Sequence, residues 1–255
     1  MRAVRSAAGA LALLSCATFA HAAPRPLPPR VLDAFAPSRG MFARQQADSG
    51  YAFLRGVLAR AEAAHDDTLA VATLFELGAR ASWFGSFTEA VPALRRAHTA
   101  AWALRDSTRW VQASQWLAFA LNSQDRVLES APVARRALPA AIALGARSVE
   151  SYLRLSLAYT DLLQGRPVAA RRGYERALAG FDALQDAYGA GEALLGLGRT
   201  YSATGPRDSA LALFRRAARR ATDARLPRVA ASAYNDLAGE QFQTGDPDPA
   251  LATWR

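Results

Sequence analysis

The sequence predicts an all-α fold, an α-α superhelix of antiparallel helix pairs, and three observations carry that prediction. Residues 191–217 set Leu194, Leu197, Gly198 and Tyr201 on one face of a helix. That helix stops at Gly205-Pro206, and Ala210, Phe214 and Ala217 then share one face of a second. The same unit recurs every 40 residues, in windows opening at Val71, Val111, Ser151, Gly191 and Ala231. Hydrophobic residues make up 51% of the chain with alanine prominent, whereas β-branched residues are sparse. Such a composition suits closely packed helices and disfavours a sheet.

Within the windows, the same offsets carry the same kinds of residue. The seventh is leucine (Leu77, Leu117, Leu157, Leu197, Leu237) and the eighth is small (Gly78, Ala118, Ala158, Gly198, Ala238). The fifteenth is Gly85, Asp125, Gly165, Gly205 and Gly245, a helix-ending glycine in every window but one. The twentieth is Ala90, Ser130, Ala170, Ala210 and Ala250, and the twenty-seventh is Ala97, Ala137, Ala177 and Ala217. Small residues at these offsets let two helices approach closely, and the larger ones fill the space between them.

This unit resembles the tetratricopeptide repeat (TPR), whose pattern has an aromatic, Leu-Gly, Tyr, Ala, Phe and Ala at these offsets. Leu194 stands where the pattern prefers tryptophan. The family unit is most often about 34 residues, and HEAT-like helical repeats also have periods near 40. The small residues at offsets eight, twenty and twenty-seven favour the TPR, in the lengthened form seen in kinesin light chains and some bacterial regulators. The resemblance covers about 46–255. It implies a right-handed superhelix that presents a binding surface and carries no chemistry of its own.

Taken in order, residues 1–22 read as a secretory signal peptide. Arg2 and Arg5 begin it, residues 7–20 are apolar, and Ala20-His21-Ala22 is a small-x-small cleavage site. The apolar run is shorter than the ~18 residues a membrane span needs. Cys16, the single cysteine, closes Leu13-Leu14-Ser15-Cys16, which resembles a bacterial lipobox. A lipoprotein anchored to the membrane through Cys16 is therefore the alternative to cleavage after Ala22. Either reading exports the chain to the periplasm or beyond and leaves no internal disulfide.

Residues 23–45 read as a proline-rich linker with a short helix over 31–35, broken at Pro37-Ser38-Arg39-Gly40. The solenoid is expected over 46–255, as a half-unit at 46–70 and repeats from 71, 111, 151, 191 and 231, the last truncated. Pro139, well inside a second helix, is expected to kink that helix or begin it afresh. Trp254 falls at the aromatic offset of Tyr174 and Phe214 without a following helix to cover it. The expectation is that the protein continues past residue 255 or that another chain covers this end.

Every one of the 31 basic residues is arginine, and the net charge is +9, falling to +7 when Arg2 and Arg5 leave with the leader. Arginine pairs recur on second helices at Arg95-Arg96, Arg135-Arg136 and Arg215-Arg216, which predicts a basic stripe or a solvated helix face. No aromatic residues interleave with these arginines, so nucleic acid is not indicated as a partner. His65-Asp66-Asp67 lacks the geometry for a metal site, since adjacent side chains cannot all face one ion. Glycine pairs at 189–191 and 196–198 lie on a helix with no preceding strand, unlike a nucleotide loop. No Gly-x-Ser-x-Gly frame or free thiol nucleophile remains in the mature chain. Neither an enzyme nor a cofactor is expected.

In stacked TPR units the first helices line the groove, with window offsets two, five, nine and twelve exposed there. The resemblance thus implies a partner-binding face of Phe75, Gln115, Phe119, Asn122, Tyr152, Leu155, Tyr159, Leu162, Glu192, Arg199, Asn235 and Phe242. The family's clamp for a terminal carboxylate is rich in lysine and asparagine; here lysine is absent and Arg199 is nearly alone, so that function is not indicated. Phe119, Tyr152, Tyr159 and Leu162 form an apolar, aromatic centre, with Gln115 and Asn122 able to hydrogen-bond a backbone. The expected function is an exported scaffold that binds a protein or peptide in this groove. The alternative is the sensory region of a larger protein whose effector domain follows residue 255.

Overall fold

Among the described residues eleven helices follow one another, 85% of these residues are helical, and none is in a strand. The computed structural model describes residues 26–243; the leader with Cys16 and the end of the last window with Trp254 lie outside the described residues. The helices are α1 (Pro29–Ala43), α2 (Ala47–Ala63), α3 (Asp67–Trp83), α4 (Phe87–Ala103), α5 (Ser107–Asn122) and α6 (Val127–Ala143). They continue as α7 (Arg147–Leu163), α8 (Pro167–Ala183), α9 (Ala187–Thr204), α10 (Arg207–Asp223) and α11 (Pro227–Gln243). Contacts divide the chain into two units, Met1–Ala146 and Arg147–Arg255, so that α1–α6 belong to the first and α7–α11 to the second. Odd-numbered helices are the first helices of their repeats and even-numbered ones the second.

The offsets of the sequence pattern mark where paired helices touch. Ala90, Ser130, Ala170 and Ala210, and again Ala97, Ala137, Ala177 and Ala217, are fully buried. In the first unit a Cβ on Gly78 would lie 2.4 Å from Leu94, and Ser130 Oγ donates to the Ala118 carbonyl of the facing helix at 3.1 Å. In the second unit a Cβ on Gly198 would lie 2.4 Å from the buried Phe214 ring. Only glycine, alanine or serine fits so short a crossing. Leu157 is the one member of the leucine series that is only half-buried.

One turn joins every helix to the next. From Gln45 to Arg225, every twentieth residue has a positive φ: Gln45, His65, Gly85, Arg105, Asp125, Gly145, Gly165, Gln185, Gly205 and Arg225. The following residue donates its N–H to the carbonyl five positions back, as Gln46 does to Met41 and Asp186 to Phe181, the Schellman closure of a helix end. The turn between α9 and α10 departs from this pattern because Pro206 has no N–H to donate. There α9 runs one residue longer and Gly205 opens to a φ of 108°.

Residues 23–45 depart from the sequence expectation. Instead of a linker and a helix broken at Pro37, α1 runs unbroken through Pro37 to Ala43, so the expected half-unit has a complete first helix before it. Pro28 caps the helix and Pro29 sits at its first position, where a missing N–H costs nothing. Val31, Phe35, Ser38 and Phe42 fall on one buried face. Proline inside a helix costs about 3 kcal/mol, whereas burying Val31, Phe35 and Phe42 contributes about 1.5–3 kcal/mol each. Packing therefore wins. Likewise α6 is continuous through Pro132 and Pro139 and does not begin afresh at Pro139.

Within each unit, successive first helices touch one another, α1 with α3 and α3 with α5, then α7 with α9 and α9 with α11. Successive second helices stand further apart, so only long side chains can bridge them.

Candidate functional site

The predicted groove residues lie on first helices of both units. In the first unit, Phe75 on α3 is half-buried, and Gln115 and Asn122 on α5 are largely buried. Phe119 makes edge-on ring contacts with Trp116 (5.8 Å between centroids) and with Phe87 of α4 (6.5 Å). This side of the first unit is aromatic.

In the second unit, Tyr152 of α7 is committed to holding the next repeat. Its ring meets Phe181 edge-on at 4.7 Å, and its hydroxyl donates to Asp186 Oδ2 at 2.8 Å. Asp186 in turn caps α9, its Oδ1 accepting the Gly189 N–H at 2.9 Å. Burial, and then the Asp186 charge, push the Tyr152 phenol far above its usual range. Leu155, Tyr159 and Leu162 are half-buried around Ala158, Ala170, Tyr174 and Leu197. They present an apolar strip that the fold only partly covers.

Glu192 and Arg199 share a face of α9. Glu192 is half-buried and makes no hydrogen bond or ion pair among the described residues. Burial raises its carboxyl above the usual range; the Arg199 and Arg228 charges oppose this and Asp236 adds to it. Arg199 Nε donates to Asp236 Oδ2 on α11 at 2.7 Å. Arg228 lies over the Tyr188 ring at 5.8 Å and donates to the Tyr188 hydroxyl at 2.6 Å. Asn235 and Phe242 are exposed on α11. The predicted aromatic centre is drawn from both units: Phe119 belongs to the first, and Tyr152, Tyr159 and Leu162 to the second.

The basic stripe is partly neutralised in the first unit. Arg95 pairs with Glu129, Arg96 pairs with Glu62, and Arg136 stacks 4.0 Å over the Trp102 ring. In the second unit Arg215 and Arg216 remain exposed on α10. Asp66 of the His-Asp-Asp run caps α3, accepting the Leu69 N–H at 3.1 Å, and also pairs with Arg30.

Sequence reasoning missed a cluster around His98. Trp110 Nε1 donates to His98 Nε2 at 2.9 Å, so the imidazole must be neutral with its proton on Nδ1. Burial, with help from Arg136 and Arg95, lowers the His98 imidazole to about 4. Trp102 packs on Trp110 with centroids 5.0 Å apart, and Arg136 closes the stack. The available signal was two tryptophans eight residues apart across one turn, beside His98.

No protein-family model matches the sequence, and no curated protein matches it. Among solved structures it is similar to a Rap protein complexed with competence and sporulation factor (TM-score 0.66, 13% identity, covering 100% of this chain and 86% of that one). It is also similar to a signal transduction ATPase with numerous domains, with a tetratricopeptide repeat sensor, from Pyrococcus horikoshii (0.65, 15%, 86% and 34%). A third is TTC0263, a thermophilic TPR protein of Thermus thermophilus (0.54, 17%, 80% and 98%). At these identities the likeness is one of fold. The chain has the fold of the TPR solenoids.

Proposed function

We propose that the chain is an exported TPR scaffold that binds a protein or peptide along its first helices. The observation that carries this reading is the partly covered strip of Leu155, Tyr159 and Leu162 in the same unit as the unpaired Glu192 carboxylate. Half-buried aromatic and aliphatic anchors with a polar neighbour suit a peptide groove. The similar Rap protein was solved with a factor bound, which supports a polypeptide ligand. The basic, apolar and cleavable pattern of residues 1–22 supports export.

The second reading is a sensory region that controls an effector domain. It is favoured by the likeness to the Pyrococcus protein, of which this chain spans about a third and in which the TPR portion is the sensor. Reading the gene past codon 255 separates the two.

The test of the groove takes a partner recovered by pull-down and measures its affinity for Tyr159→Ala and for Glu192→Gln. A fall of tenfold or more, with the helical circular dichroism unchanged, is the expected result. Unchanged affinity in both, with loss in Arg215→Ala/Arg216→Ala, moves the binding face to the second helices.

A further inference from the structure

The first unit contains two equivalent gaps between second helices, one repeat apart, and only one is filled. Between α4 and α6 lie Trp102, Trp110 and Arg136, with the Arg136 guanidinium over both indoles at 4.0 and 5.8 Å. Between α2 and α4, 40 residues earlier, the same three positions are Glu62, Ala70 and Arg96. Much of the surrounding frame is alike, since Val71, Ala100, Ala103 and Leu104 recur as Val111, Ala140, Ala143 and Leu144, while Asp67, Leu74 and Thr99 give way to Ser107, Ser114 and Pro139. Where a carboxylate and a methyl replace two indoles, a crevice of about 590 Å³ remains, floored by Ala70, Val71 and Leu74.

We propose that this crevice is a binding site for an aromatic side chain of indole size carried by a partner polypeptide. The next repeat shows which chemistry suits the frame: flat aromatic surface against aliphatic walls, with an arginine face across the ring. Arg96 sits at the equivalent place and is held there by its ion pair with Glu62 across the mouth. The mouth also favours a polypeptide over a free small molecule. Thr99, Ala103 and Leu104 are exposed along it, so a ring seated on Val71 leaves its main chain outside. The exposed Asp67 carboxylate at the rim can accept a main-chain N–H. This site lies on the second-helix side and is independent of the first-helix groove.

The test uses the capped tripeptides Ac-Ala-Trp-Ala-NH2 and Ac-Ala-Leu-Ala-NH2, and free indole, followed by amide chemical-shift changes in the whole chain. The tryptophan peptide is expected to give saturable shifts at Ala70, Val71, Ala100 and Ala103, at least tenfold tighter than the leucine peptide. Ala70→Trp, which restores the indole that Trp110 supplies one repeat on, is expected to abolish those shifts while the helical circular dichroism is kept. Should that variant unfold, Ala70→Leu fills part of the crevice and is expected to weaken binding at least fivefold. No saturable shift at these residues, or equal shifts in a folded filled variant, overturns the site. Free indole binding as tightly as the tryptophan peptide overturns the polypeptide assignment.

Discussion

In the first unit the polar ties between repeats run mainly between second helices; in the second unit they run mainly between first helices. Arg55–Glu89, Arg95–Glu129, Arg96–Glu62 and the Arg136–Trp102 stack bridge α2, α4 and α6. Tyr152–Asp186, Arg228–Tyr188 and Arg199–Asp236 bridge α7, α9 and α11 or the cap between them. Exceptions occur in both units: Arg30–Asp66 and Trp110–His98 in the first, Arg220–Asp182 and Arg207–Glu240 in the second. The cause is visible at one position. Glu89 and Glu129 pair with an arginine of the preceding second helix, whereas Ala169 and Ser209 hold the corresponding places in α8 and α10. The two faces of one repeat are thus interchangeable as places for polar ties between repeats.

The strongest way to break this contrast is to remove the indole at the centre of the first unit's ties. Trp110→Ala should destabilise by about 3–5 kcal/mol, the usual cost of deleting a buried large aromatic, and should lower the melting temperature. Acid acts next. With His98 lowered to about 4 in the fold and near 6.5 when unfolded, its stabilisation is complete above pH 6.5 and is lost as pH falls towards 4. The shift is worth roughly 2 kcal/mol once solvent screening of a partly exposed ring is allowed for. Denaturant titrations from pH 7 to 4 should therefore show a loss that His98→Phe makes shallower.

Tyr152→Phe tests the second unit. Losing its bond to the Asp186 carboxylate should cost about 1.5 kcal/mol, read as a lower denaturation midpoint at unchanged slope. Glu192 sharpens the contrast with an opposite sign. Its raised carboxyl contributes most below the ordinary carboxylate pKa, and that contribution is lost as pH rises through the folded value. Glu192→Gln should raise the melting temperature at pH 7, and the gain should vanish near pH 4. The smallest effects are expected at the exposed pairs. Arg55→Ala and Arg199→Ala should each cost no more than about 1 kcal/mol, and less still in high salt. A loss above about 2 kcal/mol at either would show that these ties hold the repeats in register.

Much of the fold was legible because close helix crossings admit so few residue types. Gly78, Ser130 and Gly198 announce the contact by being unable to be anything larger. The first helix was misjudged because Pro37 reads locally as a breaker, while the face of Val31, Phe35 and Phe42 that overrides it gains its value only from packing. Positions on the candidate face followed from the period, but their occupations did not. That Tyr152 gives its hydroxyl to Asp186, while Glu192 keeps its carboxylate unpaired, depends on side-chain directions 34 to 40 residues apart. The His98–Trp110 bond spans only 12 residues, but it too depends on where two side chains point across a turn.

The left-handed residue at every twentieth position makes a single helix, not a pair, the element of length. Both kinds of junction use one backbone recipe, so the chain could be lengthened by one helix with no new turn chemistry. Parity forbids it. One added helix would turn every later first helix into a second helix, carrying Glu192 and Tyr159 to the opposite side while leaving the hydrogen bonds of the turns intact. Insertions and deletions compatible with a shared face must therefore come in steps of two helices, even though the turns themselves would accept one.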